Sequence, residues 1–380
     1  MSKQQINLAT IPIIDHHCHA LLRKDGPLTA LAFQRFFTES SDATMRAQHV
    51  PNTVFYRWAI KEVAAFLGCA PNAEAVLTTR AAIAPADLAQ RMFQDANITT
   101  LLLDYGFQSS ENYTYQELRA YLPCRIEPIL RLETLAQDLL VAHDTFDQML
   151  DAYVATVENA RATGHVALKS IAAYRTGLNI APAPRDEAAT LFRHLKETAR
   201  RTGQVRLAHK PLNDYLLLTA LAIAERQALP VQFHTGFGDN DLDMLLANPF
   251  HLRYLLECGH YQRVPFVLLH AGYPYVRELG YLAAVYPNVW MDVGLAIPHT
   301  AAEIPAVWRQ TLGLTPTSKV LFSTDAYSIP EIYWLAARWG RWGLAQVLGE
   351  LIDLGALTTD EAIDAATQML WRNAAHLYGI

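Results

Sequence analysis

Ile13-Ile14-Asp15-His16-His17-Cys18-His19 reads as a β-strand that ends in His-x-His. Side chains two apart on a strand point to the same side. His17 and His19 can therefore hold one metal ion together, with Asp15 on the same face one step deeper. Imidazole is the commonest protein ligand for zinc and its relatives. Alone the pair is a modest signal. It decides the fold only if further ligands follow on other strands at similar positions.

Short apolar and β-branched runs do follow. With the first at 11–19, they lie at 98–106, 125–132, 166–173, 230–236, 264–272, 289–294 and 319–326. Most are nearly continuous, as expected of parallel strands buried on both faces. Helix-compatible stretches lie between them, at 145–163, 185–202, 215–227, 244–258 and 276–285. Eight strands alternating with helices predict a (β/α)8 barrel, an α/β fold. An open doubly wound sheet is the alternative, but no G-x-G-x-x-G follows the first strand. About 80 residues separate the first two strands, far more than a crossover needs. Amphipathic stretches at 30–37, 54–67 and 85–95 make this a helical insertion over about 20–97, a candidate lid near the barrel mouth. Two further helices, 331–355 and 359–377, are expected to close the barrel. The whole chain, 1–380, reads as a single barrel domain.

Composition agrees: 380 residues, 51% hydrophobic and 18% charged, suffice for a large core. A net charge of −6 with no block of like charges argues against nucleic acid or a membrane surface as partner. The opening MSKQQINLAT lacks the build of a signal peptide, and no run approaches a membrane span. The four cysteines are widely spaced, which predicts free thiols and a cytoplasmic protein. Apolar helix faces leave a homodimer open.

Barrel active sites sit at the C-terminal ends of the strands. Those ends carry His17 and His19 on strand one, Lys169 on strand four, His234 on strand five, His270 on strand six and Asp325 on strand eight. Each has an ordinary reading in isolation: a satisfied buried histidine, or an Asp that caps a helix. Lys169 is harder to dismiss, because a charged ammonium on an apolar strand costs several kcal/mol unless it is paired or its pKa falls. It could remain an amine bonded to a carboxylate or substrate. It could also take up carbon dioxide as N6-carboxylysine, an anion able to bridge two cations.

The set resembles the amidohydrolase superfamily of metal-dependent barrel enzymes, over nearly the whole chain. FHTGFGDNDLD, LLHAGYPYVRELGYLAAVYPNVWMDVG and LFSTDAYSIPE are similar to its amidohydrolase 2 branch, and within it to the domain fused to glutamine-synthetase-like proteins. The resemblance implies one or two divalent metals, zinc first, on His17, His19, Lys169, His234, His270 and Asp325. With two metals, His17, His19 and Asp325 hold the buried one and His234 and His270 the exposed one, bridged by carboxylated Lys169. With one, His234 joins the first three, and His270 and Lys169 polarise substrate. It further implies hydrolysis of an amide, ester or lactone by a metal-activated hydroxide, with Asp325 as general base. The branch also holds non-oxidative decarboxylases and, more distantly, uronate isomerases. A binding domain without catalysis would be expected only if a ligand were missing.

Substrate contacts are expected from Arg131, either a carboxylate clamp or the partner of Glu133 or another loop acid, from Tyr174 and Arg175 just after strand four, and from Tyr273 and Tyr327 in mouth loops. Asp292, near the end of strand seven, is a further candidate that could instead orient a ligand histidine. Glu331 is another loop candidate. Asp239, Asn240 and Asp241 read as turn residues of an exposed loop. The substrate is expected to be small and polar or carboxylated.

Overall fold

The apolar runs form eight parallel strands that pair in chain order: β1 Ile13–Cys18, β2 Ile98–Asp104, β3 Arg125–Arg131, β4 Ala167–Ser170, β5 Val231–Phe233, β6 Phe266–Leu268, β7 Val289–Asp292 and β8 Val320–Leu321. The computed structural model describes residues 6–23, 27–106 and 111–380. The opening residues 1–5 and residues 24–26 of the expected insertion lie outside them. The segment after β8 returns to β1: His16 N donates to Phe322 O (3.3 Å), Asp325 N to His17 O (3.0 Å) and His19 N to Ala326 O (2.8 Å). Those bonds bring the two ends of the sheet together as a (β/α)8 barrel and place Asp325 beside His17.

A small cluster inside the barrel takes Ile14, Leu102, Ile129, Ala167, Val267 and Leu321 from six strands and packs against Ala374 and Tyr378 of the last helix. The larger core lies outside the strands, under the surrounding helices. The expected alternation along β1 fails at one step. Asp15 pairs with Leu101 and Cys18 with Leu103, so β1 spends three residues where β2 spends two. Such a bulge re-aims the side chains that follow it. Asp15 is fully buried away from the mouth, and its Oδ1 accepts from Thr324 N (2.9 Å), next to Asp325.

Between β1 and β2 run the helices Ala30–Gln34, Val54–Leu67, Ala73–Ala81 and Pro85–Asp95. Val54–Leu67 starts where the Thr53 side chain accepts from Tyr56 N and stops at Gly68, whose φ of 72° suits a residue without a Cβ. Phe55, Ala59 and Val63 form its buried stripe, and Phe37 packs on Phe55 and Tyr56. The helix expected over 244–258 is replaced by two short pieces, Pro249–Leu252 and Arg253–Glu257. Pro249 has no N–H and holds Asn248 extended, so no helix passes through it. Among the described residues no helix is long and apolar enough to cross a membrane.

Glu331 does not face the mouth. It is fully buried on the helix Pro330–Asp353 and pairs with Arg80 of the insertion. Removing one partner of a buried pair leaves the other charge stranded, at about 3–5 kcal/mol. Arg80→Met, which strips the buried Glu331 carboxylate of this partner, is therefore expected to lower unfolding free energy by about 3 kcal/mol in a urea titration, and Arg80→Met combined with Glu331→Leu to recover most of it. An unchanged midpoint in the single variant would contradict this placement.

Candidate metal centre

A cavity of about 610 Å³ opens at the C-terminal ends of the strands, and His17, His19, Lys169, His234, His270 and Asp325 all line it. Asp325 Oδ1 lies 3.1 Å from His17 Nε2 and 3.2 Å from His19 Nε2, and Asp325 Oδ2 lies 3.7 Å from His270 Nδ1. Lys169 Nζ lies 3.2 Å from His17 Nε2. The rings of His234 and His270 stand 4.4 Å apart, centroid to centroid.

Hydrogen bonds to backbone carbonyls fix two of the tautomers, since a carbonyl only accepts. His19 Nδ1 donates to Asp104 O (3.1 Å), which leaves its lone pair on Nε2, facing Asp325. His234 Nε2 donates to Phe237 O (3.1 Å), leaving the lone pair on Nδ1. Both nitrogens of His270 are buried without a hydrogen bond, and Asp325 Oδ1 has no well-aligned one. Buried acceptors gathered without donors are costly unless a cation sits among them. The donor atoms of His17, His19 and Asp325 lie within 4.8 Å of one another, so these residues fit a divalent metal.

The electrostatics point the same way. Burial pushes the pKa values of His234 and His270 well below the usual imidazole value, so both are neutral and able to ligate. Burial also raises the Asp325 carboxyl, but His270, His17 and His19 outweigh it and hold it well below the usual carboxylate range. Lys169 is lowered to about 8, by burial above all, with Asp104 and Asp325 opposing.

Two of these side chains sit on unusual backbone. His270 and Asp325 have φ of 69° and 51°, in the left-handed region that residues with a Cβ rarely adopt. Such strain persists where surrounding bonds over-determine it. Asp292 supplies one of them: it is fully buried, and its Oδ1 accepts from His270 N (2.5 Å). Its Oδ2 accepts from the Ser323 hydroxyl and lies 3.2 Å from His16 Nε2. His16 in turn meets the Tyr378 hydroxyl at Nδ1 (3.0 Å), so the last helix braces the floor of the site.

Of the expected substrate contacts, Arg131, Tyr174, Arg175 and Tyr327 line the cavity, whereas Tyr273 and Asp292 do not. Tyr273 sits behind the mouth: its carbonyl accepts from Phe237 N (2.8 Å) and its ring packs on Phe237. Arg131 is not an open clamp. Its Nε and Nη2 reach Asp104 Oδ2 at 3.0 and 2.5 Å. Asp239 and Asp241, expected as turn residues, also line the cavity, as do Arg35, Glu39 and Arg46 of the insertion. Burial and the neighbouring Glu39 push the Asp239 carboxyl up to about 7. No local signal marked the insertion residues, because the fold alone brings them over the strand ends.

A family model described as amidohydrolase matches residues 14–380. Protein fluG of Emericella nidulans is 30% identical over 98% of this chain, which spans 46% of that relative's length. A crystal structure from Lactobacillus casei, provisionally described as a metal-dependent hydrolase, superposes with a TM-score of 0.89 at 32% identity, covering 99% of this chain and 98% of the other. A uronate isomerase from Thermotoga maritima shares the fold at 14% identity, with a TM-score of 0.66 over 97% of this chain and 95% of its own. That family implies a divalent metal, which the convergent donors at the strand ends accommodate. From its first strand to its last residue, the chain belongs to the amidohydrolase family.

Proposed function

We propose that this chain is a metal-dependent hydrolase of a small polar amide, ester or lactone. The observation that carries the reading is the convergence of His17 Nε2, His19 Nε2 and Asp325 Oδ1, at 3.1 and 3.2 Å, on the floor of a cavity. His17, His19 and Asp325 would hold one ion, and His234 and His270 a second. Zinc suits this nitrogen-rich set. When bound, the metal supplies Lewis acidity, polarising the scissile carbonyl and lowering the pKa of water.

The chain's own residues do the rest. Asp325, kept ionised by its histidine neighbours, takes a proton from the attacking water and returns it to the leaving group. Lys169 is fully buried and depressed to about 8, so its neutral amine is accessible near neutral pH. Carboxylation follows: the amine forms an N–C bond to carbon dioxide and loses one N–H proton to solvent. The resulting carbamate would supply an anion that offsets the charge of metal held by the neighbouring histidines. The insertion, through Arg35, Phe36 and Glu39, forms part of the cavity wall.

A second reading, non-oxidative decarboxylation with one metal and an unmodified Lys169, is favoured by one observation. Among the described residues only His17, His19 and Asp325 form a tight His/Asp ligand cluster. Turnover in ¹⁸O-labelled water separates the two. The hydrolase reading expects one labelled oxygen in the acid product and no carbon dioxide. Release of carbon dioxide without label in the other product would overturn it.

A further inference from the structure

Among the described residues six cationic side chains line the cavity, and most of them are occupied. Asp104 holds Arg131. Arg206 donates to Asp241 Oδ2 (2.8 Å) and to Tyr174 O (3.1 Å). Arg46 Nε donates to Ser40 O (2.8 Å), and Lys169 lies against His17. Arg35 stacks on its neighbour Phe36, 4.6 Å from the ring centroid.

Arg175 differs. It follows the buried turn Ala172–Tyr174 at the end of β4, which places it at the mouth. Its side chain forms neither an ion pair, a hydrogen bond nor a ring contact among the described residues, and its Nε is buried. The acids that act on it electrostatically are both taken: Glu133 accepts from Ser170 Oγ (2.7 Å) and Ile171 N (3.0 Å), and Asp241 from Arg206. A partly buried guanidinium without an anion is costly, and its planar fork matches a carboxylate. Glu39, Glu111 and Asp239 share the cavity and disfavour a dianion such as phosphate.

We propose that Arg175 receives a carboxylate of the substrate, assisted by Arg35 of the insertion, so that the substrate class is a carboxylate-bearing amide, ester or lactone. The inference rests on the hydrolase reading for the reaction, but not for the anion site.

Phenylglyoxal labelling, mapped by peptide mass spectrometry on metal-loaded and metal-stripped protein, tests the anion site directly. Arg175 is expected to react in the free protein, and saturating butyrate, a monoanion, to slow its labelling at least about fivefold in both forms, while neutral butyramide does not. Absence of labelling, absence of protection, protection only with metal present, or equal protection by phosphate would each overturn the proposal. With a hydrolysed substrate in hand, Arg175→Gln is expected to raise KM about tenfold or more with kcat within a few-fold, and Arg175→Lys to recover part of it. An unchanged KM with turnover intact would sink the carboxylate site and leave the hydrolase reading standing. Butyrate protection without any hydrolytic turnover would do the reverse.

Discussion

Asp325→Asn is expected to lower kcat by about 10³-fold or more with little change in KM, because it removes the proton acceptor and weakens a metal donor at once. Its carboxylate stands 3.1 Å from one imidazole and 3.2 Å from another, with no donor better aligned to satisfy it. The amide keeps the shape and loses the negative charge that offsets a dication. The backbone at this position lies in the left-handed region, which Asn tolerates as well as Asp. A folding defect is therefore not expected, and an unchanged melting temperature beside lost turnover is the informative pair. A variant retaining more than a tenth of wild-type kcat would remove Asp325 from the proton path.

His17→Ala is expected to abolish turnover and tight metal binding together. His17 is 1% exposed and touches both Asp325 and Lys169, so it joins the compact ligand cluster to the residue that would bridge to a second ion. A catalytic metal supplies several kcal/mol of transition-state stabilisation, and each 1.4 kcal/mol is about tenfold, so a loss of about 10³-fold or more follows from its departure. Titration of the metal-stripped variant with zinc, followed by calorimetry, checks the binding half of the expectation. Wild-type affinity in the variant would show that His17 is not a donor.

Much of this site was legible because each donor ends an apolar run. His234 closes VQF and His270 follows FVL, and strand ends of parallel barrels point at one mouth. Lys169 stood out because an ammonium has no ordinary place on a buried strand, and it is indeed fully buried. What escaped was set by neighbours distant in sequence. Arg131 read as either a carboxylate clamp or half of an ion pair with Glu133 or another loop acid; it is paired, but with Asp104, 27 residues earlier at the end of the adjacent strand. Asp15 read as a companion of His17 and His19, until one extra residue in β1 turned it away. Glu331 read as a mouth residue, whereas the insertion supplies Arg80 to bury it. The cavity wall contributed by Arg35 and Glu39 has no strand-end signature, because an insertion is positioned by packing and not by barrel register.

The proposed activity depends on divalent metal held by His17, His19, His234, His270 and Asp325, with carboxylated Lys169. That dependence is tested most directly by metal content together with anomalous diffraction at the cavity floor, on protein purified without chelators. Between about one and two ions per chain are expected, with an anomalous peak among His17, His19 and Asp325 and carboxylate density on Lys169 if two are bound. Less than about half an ion per chain, with turnover indifferent to added metal, would contradict it.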